Sequence, residues 1–471
     1  MIIKKIIIVG GGTAGLIAAL ILKTQLNGVQ IQIIKSDKIG IIGVGEGSTD
    51  HFKEFMRICN ITEEELIKEA DATFKTGVMF EDWTPRDYCH SINEVHRFNI
   101  GQYQAYYAHL IGHQIPIENE QPILDKCIPF GYFFNQYHFN TFKLNDFLVK
   151  KSKAIGIKFT EDKILSVKTR KEIYALHGEK KKYTADFYID ATGFKRLLIS
   201  KLGAQWKSFN LPMNEAIAFQ TPDTDNYNPW TLAKAMKAGW MWRIPTYGRW
   251  GNGYVYNNHY INMEQAKREA EKYIGHSITI GKHVRFEAGA LDAPWIQNCV
   301  ALGLSATFTE PLEASSIGLT IQQVLLLVHH IVNANQRNID AYNESCRVLF
   351  KNTRDFIAIH YLIKRKDKFW KELKIDFSPD FMTQLKQWKK RLPLDQDFPE
   401  HLNLLFHNRN FIVVLAGLGY FDNKSIKKEL QYYGPQIKEY MDLKSKEIKA
   451  LDNKPYVMHK EYLKRIRSHV I

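Results

Sequence analysis

The sequence predicts an α/β fold in which a β-α-β domain is interleaved with a second sheet and a mainly helical part. Three observations predict it: a glycine-rich loop between an apolar strand and an apolar helix near the N-terminus, further small-residue loops that each follow a strand-like run, and an alternating aromatic stretch in mid-chain. At 471 residues and 45% hydrophobic side chains, the chain is about three times one usual folding unit, so one large composite domain or two interleaved ones is expected.

The elements follow in order. Ile6-Ile7-Ile8-Val9 is a short β-branched run, read as a buried strand; Leu16 to Leu22 reads as a helix and Val29 to Ile34 as the second strand of a βαβ opening. From about Phe74 to Tyr137 the texture becomes rich in aromatic residues and His, with Pro and Gly, as a substrate-facing insertion would look. Ala185 to Ile189 is strand-like and leads into Asp190-Ala191-Thr192-Gly193. Between Trp240 and Tyr260 aromatic residues alternate with small or polar ones, which predicts strands of a second sheet with one face buried. Cys299 to Gly303 reads as a core strand, Ile317 to Val332 as a long apolar helix, and the chain from Arg354 onward as mainly helical. The resulting division is a discontinuous nucleotide-binding domain over 1–73, 138–205 and 285–350, with a substrate-binding and helical part over 74–137, 206–284 and 351–471.

Charge and cysteine usage narrow the class. Lys and Arg number 64 against 50 Asp and Glu, a formal net charge of +14, and Lys-rich stretches such as Lys180-Lys181-Lys182 carry much of the excess. A solvated basic surface is preferred to nucleic-acid binding. Five scattered cysteines without CxxC spacing argue against a disulfide framework or a zinc site. No apolar N-terminal segment with a cleavage signal is visible, and no run approaches the roughly 18 apolar residues of a membrane span. A soluble, cytoplasmic protein without a membrane or nucleic-acid partner is expected.

Gly10-Gly11-Gly12-Thr13-Ala14-Gly15 satisfies G-x-G-x-x-G between strand and helix. Gly10 permits the tight turn, Gly12 lets backbone approach a pyrophosphate, Gly15 lets helix and strand pack closely, and the N–H groups of Thr13 and Ala14 open the helix toward the phosphates. The acidic residue that would hold a ribose hydroxyl at the end of the second strand is replaced by Lys35, with Ser36 and Asp37 beside it. Gly43-Val44-Gly45-Glu46-Gly47, Asp190 to Gly193 and Gly303-Leu304-Ser305 are further small-residue loops that an NAD domain does not need. An extended flavin does need them, so FAD is the expected cofactor.

These loops, together with Phe74-Lys75, Gly239-Trp240-Met241-Trp242-Arg243-Ile244-Pro245 and Glu310-Pro311-Leu312-Glu313, resemble the flavin-dependent tryptophan halogenases in order and spacing from about residue 4 to about residue 422. Arg354-Asp355-Phe356, His360-Tyr361 and Ala416 to Gly419 add to the match, and W-x-W-x-I-P is its most specific part. The resemblance implies an FAD-binding Rossmann-type (GR2-like) domain and a two-component enzyme: FAD reduced by a separate flavin reductase reacts with oxygen and halide to form hypohalous acid, which travels inside the protein to a small aromatic substrate. By that resemblance Lys75 and Glu313 are catalytic. Lys75 aims the electrophile as a haloamine or through a hydrogen bond, and a haloamine route requires burial to lower its pKa. Glu313 stabilises the cationic ring and assists its deprotonation. Ser315 and Ser316 would bind halide, Trp240 and Trp242 would screen the flavin, Val44, Gly45, Glu46, Ile164, Gly193, Leu304 and Ile317 would touch the cofactor, and His90 and Phe406 would line the substrate. A homodimer is expected by family analogy alone.

The departures matter as much. The usual Ser-Thr-Gly at the halide position is Ala314-Ser315-Ser316 here, which opens the choice among chloride, bromide and iodide. Tryptophan-specific members carry a Glu and a Phe-Trp pair before the Asn-x-Asn stretch, whereas this chain has His401 and Leu405-Phe406 before Asn408-Arg409-Asn410, and Ile92 replaces an aromatic residue after His90. An indole- or phenol-type substrate is the broader expectation. The alternatives are an FAD-dependent aromatic hydroxylase, which usually carries Gly-Asp where Gly303-Leu304 stands, and a non-catalytic flavoprotein, which would leave Lys75 and Glu313 idle.

Overall fold

The computed structural model describes residues 3–41, 43, 47–91, 100–115, 127–129, 134–399, 404–432, 434–435, 438–439, 442–443, 446 and 456–469. They form two compact units: Met1–Ala72, Phe139–Asn210 and Glu287–Thr353 make up the first, and Thr73–His138, Leu211–Phe286 and Arg354–Ile471 the second.

The first unit is a Rossmann-type α/β layer. Lys5–Val9 lies centrally in a six-stranded sheet, between Gln30–Lys35 and Phe187–Asp190, and pairs in parallel with both. Ile6, Ile7 and Ile8 are fully buried, as a strand covered on both faces requires. The helix Thr13–Gln25 makes the crossover, with Leu16 to Leu22 buried. Lys158–Glu161 extends the sheet on one side; Cys299–Ala301 extends it on the other in parallel, with Trp295–Ile296 antiparallel at the edge. Because Lys5–Val9, Phe187–Asp190 and Cys299–Ala301 are parallel neighbours, the loops after them leave the same edge side by side. Topology thus gathers three small-residue loops that sequence separates by more than a hundred residues.

Among the described residues, the helix Leu312–Ile331 has the length and apolarity of a membrane span. Leu319, Ile321, Val324 and Leu327 are buried within the protein, which is how a core helix behaves.

The second unit is built on a seven-stranded sheet in the order Ile280–Arg285, Glu215–Pro222, Arg249–Tyr256, Gly239–Thr246, Trp230–Met236, Gly77–Glu81, Tyr88–Ser91. All neighbours are antiparallel except Trp230–Met236 with Gly77–Glu81. This corrects two expectations. Gly77–Glu81 and Tyr88–Ser91 belong to the second sheet itself rather than to a separate insertion, through a parallel pairing about 150 residues away that leaves no local signal. The strands Gly239–Thr246 and Arg249–Tyr256 are buried almost throughout, on both faces. Met241, Tyr254 and Tyr256 pack with Ala266 and Ala270 of the helix Met263–Ile274, and the alternate positions Trp240 and Trp242 are covered on the other face.

The chain beyond Arg354 is helical over Lys368–Glu372, Pro379–Trp388, Asn408–Gly417, Asn423–Glu429 and His459–Ser468. Among the described residues one strand interrupts it, Tyr456–Met458, which pairs with Cys127–Pro129.

A charge network centred on the buried Glu215 closes one edge of this sheet, with Arg285 reaching it from solvent. The Glu215 carboxylate accepts from Tyr256 Oη at 2.7 Å and Asn258 Nδ2 at 2.8 Å, and pairs with Arg285 at 2.8 Å and His283 at 3.0 Å. Burial alone would raise its carboxyl, but these hydrogen bonds and the Arg285 charge hold it down at about 2. Its stabilising contribution is therefore complete above about pH 4.5 and is lost as pH falls toward 2. Urea unfolding of Glu215→Gln followed from pH 7 to pH 3 should show a shallower loss of stability than wild type; an identical slope would mean that the network does not set acid stability.

Candidate functional site

In the first unit the glycines separate by what each one faces. A Cβ at Gly10, where φ is +119°, would stand 2.2 Å from the Ala191 carbonyl oxygen, and one at Gly15 would stand 2.1 Å from the Gly10 carbonyl oxygen. Both are required by the protein's own packing. At Gly12 the nearest atom would be Ile41 Cγ2 at 4.0 Å, so nothing among the described residues demands glycine there. The helix Thr13–Gln25 begins at Gly12 without a side-chain cap. Open space over a glycine at an uncapped helix N-terminus fits a pyrophosphate.

Lys35 crosses this loop, since a Cβ at Gly11 would meet its Cβ at 2.8 Å, and its ammonium lies 2.6 Å from Asp37. Asp162 N–H donates to the Lys35 carbonyl, which brings the segment entering the strand Ile164–Thr169 to the end of the second strand. Gly303, with φ at +59°, packs on Ala14, where a Cβ would approach to 2.6 Å. Leu304 lies in the turn Gly303–Ser305 and Ile317 in the first turn of Ser315–Ile331, both half-buried. Val44, Gly45 and Glu46 lie outside the described residues.

Asp190 is fully buried and its carboxylate is filled from within. Oδ1 accepts from Thr192 N at 3.0 Å, Thr192 Oγ1 at 2.7 Å and Ser305 Oγ at 3.3 Å; Oδ2 accepts from Leu198 N at 2.7 Å and Ile199 N at 2.9 Å. Ser305 Oγ also reaches the Gly193 carbonyl at 3.1 Å. The residue acts by tying two loops together.

The segment Glu310–Ser316 is strained. Glu313 has φ 63° and Ala314 φ 55°, successive left-handed residues that are not glycine, each costing on the order of 1–2 kcal/mol. Ser315 then returns to the right-handed region. A left-handed residue followed by a right-handed one turns successive N–H groups to one side, the concavity in which anions bind, here at the head of a helix. Ser315 Oγ, 1% exposed, lies 3.1 Å from Thr309 Oγ1. Glu310 and Glu313 are both buried.

In the second unit Lys75 ends the strand Thr73–Lys75, which pairs with Gln136–His138 so that Lys75 faces Gln136 and Thr73 faces His138. Lys75 is fully buried. Thr73 Oγ1 donates to the Pro245 carbonyl of W-x-W-x-I-P at 2.7 Å, so its oxygen accepts from His138 Nδ1 at 3.3 Å, and His138 Nε2 meets Thr231 Oγ1 at 2.8 Å. Burial, followed by the charge of Lys75, pushes the His138 imidazole well below its ordinary range, so it is neutral. Phe74 N–H donates to His459 Nε2 at 3.1 Å; burial pushes that imidazole down to about 3, which keeps Nε2 free of a proton to accept. Beyond Lys75, Thr76 N–H and Oγ1 both donate to the Pro229 carbonyl. The strand is thus fixed at every residue around Lys75. Gln136 differs: it is fully buried, and among the described residues neither amide atom has a hydrogen-bond partner. Sequence reasoning missed Gln136, His138 and His459 because none carries a local motif.

Trp240 and Trp242 share one face, with ring centroids 6.1 Å apart. Gly253 stands opposite Trp242, where a Cβ would lie 2.1 Å from its ring. The glycine makes room for the indole, and the Trp240 N–H is buried without a partner among the described residues. His90 is buried, bonded to Asn410 Nδ2 at 3.2 Å, and its ring lies 5.5 Å from Phe356, on which Phe406 stacks at 3.9 Å. His90 and Phe406 are therefore joined through Phe356. His401 and Ile92 fall outside the described residues.

The chain is similar to known proteins along nearly its whole length. A family model described as tryptophan halogenase matches residues 5–430. The 7-chloro-L-tryptophan 6-halogenase KtzR of Kutzneria sp. (strain 744) is 28% identical, over 98% of this chain and 99% of its own. The tryptophan 6-halogenase SttH of Streptomyces toxytricini is 29% identical over 88% of this chain and 89% of its own, and its crystal structure superposes with a TM-score of 0.82, covering 98% and 99% at 27% identity. The structure of a flavin-dependent halogenase from Xanthomonas campestris gives a TM-score of 0.84, covering 99% of each chain at 27% identity. With its glycine loops, its buried Lys75 and its W-x-W-x-I-P strand in place, the chain belongs to the tryptophan halogenase family and is a flavin-dependent halogenase.

Proposed function

We propose that this enzyme halogenates an electron-rich aromatic ring of the indole class, with hypohalous acid as the oxidant and Lys75 as the residue that aims it. The observation that carries the reading is the burial of Lys75 at the end of a strand held at each neighbouring residue, since an aminoalkyl chain in solvent has no regiochemical use. Gly10, Gly12, Thr13, Ala14 and Gly15 would hold FAD, supported by Lys35, Asp190, Gly193, Leu304 and Ile317; the open space over Gly12 fits it. When bound and reduced by a separate flavin reductase, FAD supplies hypohalous acid from oxygen and halide.

The protein's own groups do the rest. Ser315, Ser316 and the left-handed turn before them gather N–H and O–H donors for a halide ion. Trp240 and Trp242 keep organic substrate from the flavin. Lys75 presents the electrophilic halogen to one ring carbon, and Glu313 stabilises the cationic ring and takes up its proton. His90 and Phe406 form part of the substrate wall. Tryptophan is the first probe because the relatives are named for it; indoles and phenols come next because Leu405-Phe406 stands where tryptophan-specific members carry a Phe-Trp pair.

The test supplies enzyme, FAD, a flavin reductase, NADH and oxygen with chloride, bromide or iodide in turn, and reads products by mass. Replacement of a ring hydrogen by halogen is expected. Oxygen-atom gain without halogen would sink the reading and promote the aromatic hydroxylase.

A further inference from the structure

We propose that Gln136 is a second binding group of the Lys75 site and holds the oxygen of hypohalous acid while Lys75 aims its halogen; this rests on the halogenase reading above. Lys75 and Gln136 are directly opposed in an antiparallel pair, so their side chains leave the same face with Cβ atoms about 5 Å apart. The pair two positions away, Thr73 and His138, occupies that same face and is fully engaged through Pro245 and Thr231. Gln136 is as buried as its neighbours, yet its Oε1 and Nε2 both lack a partner among the described residues. Buried polar groups are nearly always bonded, and an orphaned amide beside a reactive lysine marks a place kept for a ligand.

The chemistry selects that ligand. Hypohalous acid offers one O–H donor and an acceptor oxygen, the complement of a carboxamide's carbonyl and N–H. A carboxamide also resists the oxidant, where a thiol, thioether, free amine, phenol or indole would be consumed. In the transfer, the oxygen–halogen bond breaks with its electron pair left on oxygen, and the halogen forms its new bond with a π pair of the ring. The ring then loses a proton to a base, and the released hydroxide takes up a proton to become water. Negative charge develops on that oxygen, and Nε2–H of Gln136 donates to it; Oε1 accepts the O–H before transfer. Gln136 also retains the acid beside Lys75 instead of letting it diffuse.

Gln136→Leu tests this, because it removes both polar atoms at nearly constant volume. A side chain without protein partners predicts a melting temperature equal to or above that of wild type. Halogenated product per reduced flavin consumed should fall roughly tenfold, as expected for one lost transition-state hydrogen bond. Free hypohalous acid caught by an added β-diketone scavenger should rise in step. Unchanged product yield and scavenger capture would overturn the proposal and leave Gln136 solvated by trapped water. A strong drop in melting temperature, or loss of folded protein, would also overturn it by making the residue structural. If wild type halogenates none of the probes, the reading of the function fails and takes this with it; if wild type halogenates and Gln136→Leu does so equally, only this proposal fails.

Discussion

Lys75→Ala abolishes halogenated product, by at least about a hundredfold, while reduced-flavin oxidation and hydrogen peroxide release persist. The expectation follows from where Lys75 stands. Its strand is bonded through Thr73 to Pro245, through Phe74 to His459 and through Thr76 to Pro229, so the ammonium-bearing chain leaves from a fixed point. Removing the amine leaves the supply of oxidant untouched and takes away its aim. Truncating a buried Lys also opens a cavity, so Lys75→Met, which keeps the volume, is the companion variant; both should be inactive in halogenation with near-normal folding. Product analysis by mass alongside a peroxide assay reads both halves. Halogenation by Lys75→Ala at a near wild-type rate would show that the assigned role is wrong.

Asp190→Ala lowers the stability of the nucleotide-binding unit by about 4 kcal/mol, because three backbone N–H groups, those of Thr192, Leu198 and Ile199, lose a buried acceptor at once. Asp190→Asn should recover part of this, since one oxygen remains while the new NH₂ opposes N–H donors. Thermal unfolding should show Ala below Asn below wild type, with FAD retention falling in the same order because the loops Ala191–Gly193 and Gly303–Ser305 are tied through this carboxylate. A melting temperature for Asp190→Ala within a degree or two of wild type would refute the structural role. The residue is thus a loop organiser whose effect on the cofactor is indirect.

Much of the fold is legible because its signals are local. The β-branched run Ile6 to Val9, the G-x-G-x-x-G loop and the apolar helix after it fall within about 20 residues, and each states its own geometry. Trp240 and Trp242 at i and i+2 place themselves on one strand face. The parallel pairing of Gly77–Glu81 with Trp230–Met236 is different: no short stretch records a partner about 150 residues away, so the segment reads as an insertion until the sheet is assembled. Burial of Gly239–Thr246 on both faces likewise depends on the helix Met263–Ile274 on one side and on covering residues on the other.

By itself, then, the sequence determined the glycine loop, the Rossmann-type opening, the family, and Lys75, Glu313 and the Trp240–Trp242 pair as the residues to question, since all sit in short motifs whose spacing is the geometry. Only the tertiary structure decided that, among the described residues, Gly12 faces open space where Gly10, Gly11 and Gly15 do not, that Asp190 is saturated by its own loops, that Glu313 and Ala314 are held left-handed, and that Gln136 stands unbonded opposite Lys75. The physical reason is that hydrogen-bond satisfaction and close approach are properties of groups brought together from distant parts of the chain, and no residue's own neighbours in sequence reveal which partners it will find or lack.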